Sequence, residues 1–276
     1  MTLLAGLATV LAGVVIGLSV GALGAGGSIL AVPVLVYALG QSVGQATSGS
    51  LVVVGTTSLI GAVAAHRAGN VIVGRGVAFG AVAVVGAAVG ARASAHVPEP
   101  VLLAAFALLM LVVGTLMAVR QVRARPEGSS RAESAGVGQP MLTVRPTLTC
   151  QCARALKVLL TATTVGLLTG FLGVGGGFLV VPALLLVVGL PMRFAAGTSL
   201  VVITLTSGVA LAVRAGSGLH PDWAVVLLLT ATSAGAGLIG ARVAARIDPR
   251  RLAAAFTALV LVVAVYTSVR AVPALA

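Results

Sequence analysis

Acidic residues are scarce in this 276-residue chain: five Asp and Glu stand against 17 Lys and Arg, and only 8% of residues are charged. Soluble domains carry about 25% charged residues, so the composition excludes a soluble globular fold. No acid falls inside a long apolar run; the five are Glu99, Glu127, Glu133, Asp222 and Asp248. A carboxylate relay of the kind that proton pumps use is therefore not expected. Proton coupling through the substrate or His66, or no coupling, stays open.

Cysteine and aromatic residues are also few. Cys150 and Cys152 have no histidine beside them and cannot complete a tetrahedral metal site, so no metal or other cofactor is expected. Aromatic residues make up 3% of the chain, and no basic surface with interleaved aromatics is present, so nucleic-acid binding is not expected. The sequence also lacks a histidine cluster and a nucleophile–base pair within its apolar runs, which argues against an enzyme.

Long apolar runs dominate the sequence. Hydrophobic residues make up 59% of the chain, and the mean hydropathy is +1.18. Six runs predict membrane-spanning helices, at 46–65, 76–96, 100–119, 198–213, 223–245 and 252–269. The first residues lack the charged leader and cleavage site of a signal peptide, so we expect a retained membrane segment there. The sequence predicts an all-α polytopic protein in the lipid bilayer.

The two halves of the chain resemble each other. Gly17–Pro33, GLSVGALGAGGSILAVP, aligns with Gly166–Pro182, GLLTGFLGVGGGFLVVP. Three further matches follow in the same order: Ser50–Val53 with Ser199–Val202, Arg67–Gly69 with Arg214–Gly216, and Gly90–Arg92 with Gly240–Arg242. A tandem duplication explains this order. It predicts a first membrane repeat at 1–120, a polar linker at 121–156 and a second membrane repeat at 157–276.

The distribution of basic residues favours an inverted second half. Residues 121–156 are polar, basic and rich in Pro and Gly, which predicts a solvated linker on the cytoplasmic side. With the linker inside, inverted halves leave three of the 17 Lys and Arg outside, namely Arg92, Arg214 and Arg270. Parallel halves leave twice as many outside. Arg67 and Arg214 themselves are interpreted as loop anchors.

Both halves carry a glycine-rich break inside an apolar segment. The stretches after the breaks, 28–39 and 178–189, are about 12 residues or roughly 18 Å long, short of the roughly 30 Å hydrocarbon core. They predict half-helices or re-entrant arms, which brings the total to about 8–10 membrane segments. Paired breaks are typical of secondary-transporter sites, where free backbone N–H groups meet an anion. Close helix packing is the alternative interpretation.

These considerations select a set of candidate substrate-binding residues. At the breaks they are Gly24, Gly26, Gly27, Ser28, Gly173, Gly175, Gly176 and Gly177, and among the nearby hydroxyls they are Ser50, Thr198 and Ser199. Arg92 and Arg242 occupy equivalent positions near the ends of long runs. Because guanidinium groups suit oxyanions, both are candidates for anion attraction at opposite mouths, with snorkelling to lipid headgroups as the alternative.

The duplicated motif, GALGAGGSILAVP and GFLGVGGGFLVVP, followed by AAGTSL at 195–200, resembles the TauE/SafE sulfite exporter family. The resemblance implies transport of small sulfur-containing anions, such as sulfite or organosulfonates, across the bacterial inner membrane. The halves are chemically unequal, since Ser28 stands where the second half has Gly177. A passive anion channel and a carrier of another small anion stay open. Substrate identity, direction, coupling ion and a homo-oligomeric state are not fixed by the sequence.

Overall fold

The computed structural model describes residues 3–24, 26–94, 96–123, 148–172, 177–214 and 222–271, and this part of the chain is helical with no strand. The helices are α1 Leu3–Leu23, α2 Gly26–Pro33, α3 Val43–Arg67, α4 Val73–Ser94, α5 Glu99–Arg123, α6 Leu148–Leu172, α7 Gly177–Leu186, α8 Met192–Arg214, α9 Trp223–Ala244 and α10 Pro249–Ala271. A π-helical turn, Val34–Ala38, continues α2. The all-α class predicted from the sequence is confirmed.

Seven of the helices in the described ranges are long and apolar enough to cross a membrane: α1, α3, α4, α5, α8, α9 and α10. The six apolar runs fall on the last six of these, and the predicted N-terminal membrane segment is α1. The apolar part of α6 is shorter, Leu156–Leu172. Helices α5 and α6 extend into the predicted linker at 121–156. The remaining part of that linker, 124–147, lies outside the described residues. The division into repeats and linker stays a prediction.

Local sequence explains where two of the helices begin. Ser42 caps α3: its hydroxyl accepts from the Gln45 N–H at 3.3 Å, and the Gln45 side chain accepts from the Ser42 N–H at 3.4 Å. This reciprocal capping box satisfies two backbone donors that the first turn leaves free. Asp222 caps α9 by accepting from the backbone N–H of Ala224 at 3.1 Å.

Helices α3 and α8 form the centre of the bundle. In each of them, 56% of the most apolar 18-residue stretch is buried, against 33–39% in the other five spanning helices. The two run antiparallel, because Thr47 near the start of α3 meets Arg214 at the end of α8, whereas Gly61 lies beside Leu200. Helices α5 and α10 are also antiparallel, since the Gln121 amide donates to the Ala253 carbonyl at 2.9 Å near the start of α10.

Two close helix pairs join the halves of the chain through glycines. In α1, a Cβ added at Gly17 or Gly21 would overlap the backbone of Ser233 or Gly237 in α9. The contacts advance along both helices together, so α1 and α9 are parallel. Small residues that allow backbones to approach are the usual basis of helix association in membranes.

The second pair, α4 and α6, has the same geometry. A Cβ added at Gly166 would overlap the backbone of Ala83, and one at Gly170 would overlap that of Ala87. These helices are parallel as well, and each pair again joins one helix of each half.

The helix ends gather at two opposite ends of the bundle. One is called the cavity end here: α1, α3 and α9 finish there, α8 and α10 start there, and together they line one cavity. The other is called the Arg214 end: α4, α6 and α8 finish there, and α3 begins there. Each long helix therefore points opposite to its predicted counterpart in the other half, as expected for inverted halves. The duplication itself stays a prediction.

The chain returns between α1 and α3 through a short arm. Because α1 and α3 both finish at the cavity end, α2 and its π-helical turn must lead back toward the Arg214 end. The arm has 8 and 5 residues in its two parts, or roughly 20 Å at 1.5 Å per residue. It runs beside α1, where Gly27 packs against Ile16 and Val20. The arm thus leads from the cavity end back toward the Arg214 end, and whether it crosses the membrane or is re-entrant stays a prediction.

Replacing Gly166 by valine should weaken the α4–α6 contact, because the new side chain meets the Ala83 backbone. We expect a loss of about 1–3 kcal/mol or more in stability, as for other overpacked sites, measured as the thermal midpoint of the detergent-solubilised protein. Gly235→Val is the matched control, because nothing lies within 4 Å of a Cβ at that exposed helical glycine. Equal midpoints for the two variants would contradict this packing.

Gly24→Ala should cost more stability than Gly40→Ala. Both glycines have positive φ, +75° and +66°, so alanine is strained at either site by about 1–2 kcal/mol. Only at Gly24 would the added methyl also overlap the Ala196 backbone, since nothing lies within 4 Å at Gly40. The difference between the two thermal midpoints measures the contact between the end of α1 and α8, and no difference would show that this contact is dispensable.

Candidate functional site

A cavity of about 470 Å³ opens at the cavity end of the bundle. Its walls come from α1, α3, α8, α9 and α10, and most of the lining residues are glycine or alanine, which leaves the space unfilled. The volume lies within the range of about 300–1,000 Å³ that is common for small-molecule sites. The cavity is therefore large enough to admit a small solute from one side of the bundle.

Three arginines from three helices line this cavity: Arg67 from the end of α3, Arg193 from the start of α8 and Arg242 from the last turn of α9. All three are exposed, and a guanidinium nitrogen of Arg193 donates to the Ala245 carbonyl at 3.4 Å. The lining that the structure describes contains no Asp or Glu. Like charges gathered in a concave surface raise the local concentration of small ions of the opposite sign, so this arrangement of arginines is of the kind that favours anions.

Two of the residues selected from the sequence lie at this cavity, Gly24 and Arg242. Arg92 lies elsewhere: it is exposed near the end of α4, at the Arg214 end. The cavity instead includes Arg67, which the sequence analysis interpreted as a loop anchor. Arg67 joins Arg242 at the cavity because of the way in which α3 and α9 approach each other. No local sequence motif predicts this meeting.

Only some of the other glycines at the breaks belong to the described part of the structure. Gly27 is buried against α1, and a side chain there would overlap the Ile16 backbone. Loss of transport in a Gly27 variant would thus report packing as well as ligand binding. Gly26 and Gly177 are the first residues of α2 and α7. Gly173, Gly175, Gly176 and the Ser28 side chain lie outside the described part of the structure. Whether the breaks bind substrate stays a prediction.

The selected hydroxyl groups are buried and bonded to backbone. Ser50 donates to the Thr47 carbonyl at 2.9 Å, and Ser199 donates to the Ala196 carbonyl at 2.7 Å. Thr198 accepts from the Ile72 N–H at 3.1 Å. Bonds from Ser to the preceding turn are common in helices. A substrate-binding role of these three residues stays a prediction.

Two other serines differ from their neighbours. Ser58 and Ser207 are buried, and within the described structure no hydrogen-bond partner lies near either hydroxyl oxygen. The adjacent Thr57 and Thr206, by contrast, donate to carbonyls of their own helices at 2.7 and 3.0 Å. Buried polar groups without partners are uncommon and costly.

These serines occupy matching places in the two central helices. Ser58 and Ser207 have the same spacing in sequence as Ser50 and Ser199. They lie one and two helical turns beyond Gly61 and Leu200, which line the cavity and contact each other. The sequence shows both serines, but it does not show that their hydroxyls lack hydrogen-bond partners within the described structure.

Arg214 connects three helices at the opposite end. One guanidinium nitrogen donates to the Ser94 hydroxyl at 2.6 Å and to the Gly170 carbonyl at 3.2 Å, and another donates to the Thr47 hydroxyl at 3.5 Å. These partners belong to α4, α6 and α3. The side chain is half-buried, so Arg214 holds helix ends together and the interpretation as a simple loop anchor is incomplete.

The described residues contain no group of three or more His, Cys, Asp or Glu that could hold a metal ion. Asp222 and Asp248, the two acids whose side chains are described, sit at helix starts, where Asp248 accepts from the Arg250 N–H at 2.8 Å. Among the described residues that line the cavity, the polar side chains are the guanidinium groups of Arg67, Arg193 and Arg242 and the amide of Asn70.

The chain resembles a family of exporters and two bacterial proteins that are named as probable membrane transporters. The family described as "Sulfite exporter TauE/SafE" matches residues 9–267. A "Probable membrane transporter protein" of Xylella fastidiosa strain 9a5c is 30% identical over 269 residues, 96% of each chain. A protein of the same name from Xylella fastidiosa strain Temecula1 / ATCC 700964 is 32% identical over 204 residues, 74% of this chain and 71% of the relative. No solved structure matches. The chain is therefore a multi-pass membrane transporter, and it belongs to the sulfite exporter TauE/SafE family.

Proposed function

We propose that this protein is a secondary carrier of small sulfur-containing oxyanions, such as sulfite or an organosulfonate, and that the anion enters through the arginine-lined cavity. The observation that carries the proposal is the meeting of Arg67, Arg193 and Arg242 in a cavity whose described lining contains no acid. The family name supports the choice of a sulfur oxyanion.

Guanidinium chemistry favours oxyanions over simple halides. A planar guanidinium group donates two parallel hydrogen bonds to two oxygens of one anion, and such charged bonds are stronger than neutral ones. Sulfite and sulfonates offer several oxygens, whereas chloride offers a single sphere of charge. A site made of arginines should therefore discriminate by the number and placement of acceptor oxygens.

The opening of the cavity at one end supports a carrier rather than a channel. A channel needs a continuous path, whereas a carrier exposes its site to one side at a time. At the Arg214 end, the described ends of α3, α4 and α6 are linked by the hydrogen bonds of one side chain. The conformation is thus that of a carrier open on one side.

The basic residues indicate which side is open. Arg67, Arg193, Arg242, Arg246, Arg250 and Arg251 lie near the cavity end, where α5 ends and α6 begins. Among described side chains, the Arg214 end carries only Arg92 and Arg214. By the positive-inside rule, the cavity faces the cytoplasm of a bacterial inner membrane.

The transport proposal predicts saturable flux of a sulfur oxyanion in proteoliposomes. Sulfite, thiosulfate, sulfate, a small organosulfonate and chloride would be compared, with competition between them. Replacing Arg67, Arg193 or Arg242 by Gln should raise KM roughly two- to fivefold at low salt, because each exposed arginine contributes modestly, and salt should reduce the difference.

Arg250→Gln is the matched control for this series, because Arg250 is exposed at the same end without lining the cavity. Its KM should equal that of the unmodified protein. Flux of every anion without saturation would favour a channel, and unchanged KM in all three cavity variants would exclude the cavity as the entry site.

We further propose that Ser58 and Ser207 donate hydrogen bonds to the anion on its way between the two ends. Replacing both by alanine should lower kcat/KM about three- to tenfold per hydroxyl, the scale of one neutral hydrogen bond, without loss of thermal stability. Thr57→Val is the control, since its hydroxyl bonds its own helix. Wild-type flux in the double alanine variant would rule out this role.

A further inference from the structure

We propose that Arg214 keeps its end of the transporter closed by bonding Ser94, Thr47 and the Gly170 carbonyl, and that the same guanidinium binds the transported oxyanion once those bonds break. The nature of the ligand rests on the proposed function. The closure of the Arg214 end does not depend on it. The proposal assigns a further anion-binding residue, at the opposite end from the three arginines of the cavity.

The contacts show why this side chain can act as a closure. Ser94 lies at the end of α4, Gly170 near the end of α6 and Thr47 in the first turn of α3. Bringing three helix ends to one guanidinium group closes the space between them. Moving Arg214 away would break the hydrogen bonds that link these three helix ends.

The chemistry of the three acceptors explains how an anion could open this end. The two hydroxyls and the carbonyl are neutral, and bonds from guanidinium to charged oxygens are shorter and stronger than bonds to neutral oxygens. An oxyanion that reaches Arg214 therefore competes with Ser94 and Thr47 for the same N–H groups. Anion binding and the opening of this end are then one event.

The cavity end provides an internal comparison. In the predicted repeat, Arg67 corresponds to Arg214 and Gly21 to Gly170. The two hydroxyl acceptors correspond to alanines, Thr47 to Ala196 and Ser94 to Ala244. All four cavity-end residues, Arg67, Gly21, Ala196 and Ala244, line the cavity.

The cavity end, which is open, and the Arg214 end, which is closed, therefore differ in the hydroxyl acceptors that surround the arginine. At the Arg214 end the protein supplies two hydroxyl oxygens to the arginine, and the helices are joined. At the cavity end alanines replace both hydroxyls, and the space stays open. We infer that the cavity end closes only when an oxyanion supplies the missing acceptor oxygens to Arg67, so that the empty carrier rests in the conformation seen here.

The test measures access to the Arg214 end with a buried cysteine. Ala91 is 3% exposed and packs in a small cluster with Leu51 and Ala210, one turn before Ser94. In a background with Cys150→Ser and Cys152→Ser, Ala91→Cys would be labelled by a membrane-impermeant maleimide in oriented proteoliposomes without sulfur anions. Ser94→Ala and Arg214→Lys should each speed labelling roughly tenfold, because one strong acceptor or the forked donor is lost.

Ser268→Ala is the matched control. Ser268 lies near the end of α10, at the same end of the bundle, and its hydroxyl donates to the Ala264 carbonyl of its own helix at 2.7 Å. Labelling at the reference rate in this variant, together with faster labelling in Ser94→Ala, supports the closure. Reference-rate labelling in both Ser94→Ala and Arg214→Lys overturns it.

A small organosulfonate then tests the ligand, because sulfite itself would add to the maleimide and consume the label. The organosulfonate should speed labelling of Ala91→Cys in the otherwise unmodified protein several-fold more than equal chloride does, and the effect should shrink in Arg214→Lys. No effect of an organosulfonate that the protein transports would overturn anion binding at Arg214. Faster labelling in Ser94→Ala in a protein that transports no sulfur anion would uphold the closure and refute the proposed function, so the two failures are distinguishable.

A converse variant tests the comparison between the ends. Ala196→Thr with Ala244→Ser places hydroxyls where Arg67 lines the cavity. Labelling of Ala64→Cys, another lining position, should slow roughly tenfold from the cavity side, because the new hydroxyls supply acceptors of the kind that hold the Arg214 end. Unchanged labelling in a stable double variant would contradict the assigned role of the missing hydroxyls.

Discussion

Close contact between helix backbones is the constraint on which the bundle depends. Lipid is as apolar as leucine, so apolar side chains alone do not draw helices together in a membrane. Glycines such as Gly17 and Gly166 instead let α1 approach α9 and let α4 approach α6. Each of these pairs takes one helix from each half of the chain. The two halves therefore complete each other's packing, and the central helices α3 and α8 are enclosed as a result.

Much of the fold could be predicted from the sequence, because the membrane imposes length and composition on each spanning helix. The apolar runs locate six long helices. The glycine-rich break after α1 also coincides with a turn, in which Gly24 has a positive φ. Helix boundaries are less predictable, since α5 and α6 extend into a stretch whose polar composition suggested a linker. The packing partners could not be predicted either. The pairing of α1 with α9 depends on complementary backbone surfaces that no periodicity reveals.

The candidate site was less predictable than the fold. Arg242 could be selected because its repeat position and its place at a span end are visible in the sequence. Arg67 also has a repeat counterpart and also lies at a span end, but it was interpreted as a loop anchor beside His66. It becomes part of a cavity through the approach of α3, α8 and α9. Ser58 and Ser207 show the limit most clearly. Their neighbours Thr57 and Thr206 also carry hydroxyls, yet these donate to carbonyls of their own helices, and no pattern in the sequence separates the two cases.

The placement of the helix ends has a practical consequence for reporters fused to the protein. Helix α1 starts at the Arg214 end and α10 finishes there, whereas 124–147 joins two helices at the cavity end. Fusions placed before α1 or after α10 would therefore share one compartment, and an insertion between α5 and α6 would occupy the other. A fluorescent or enzymatic domain inserted at the latter place would lie on the side of the bundle at which the cavity opens.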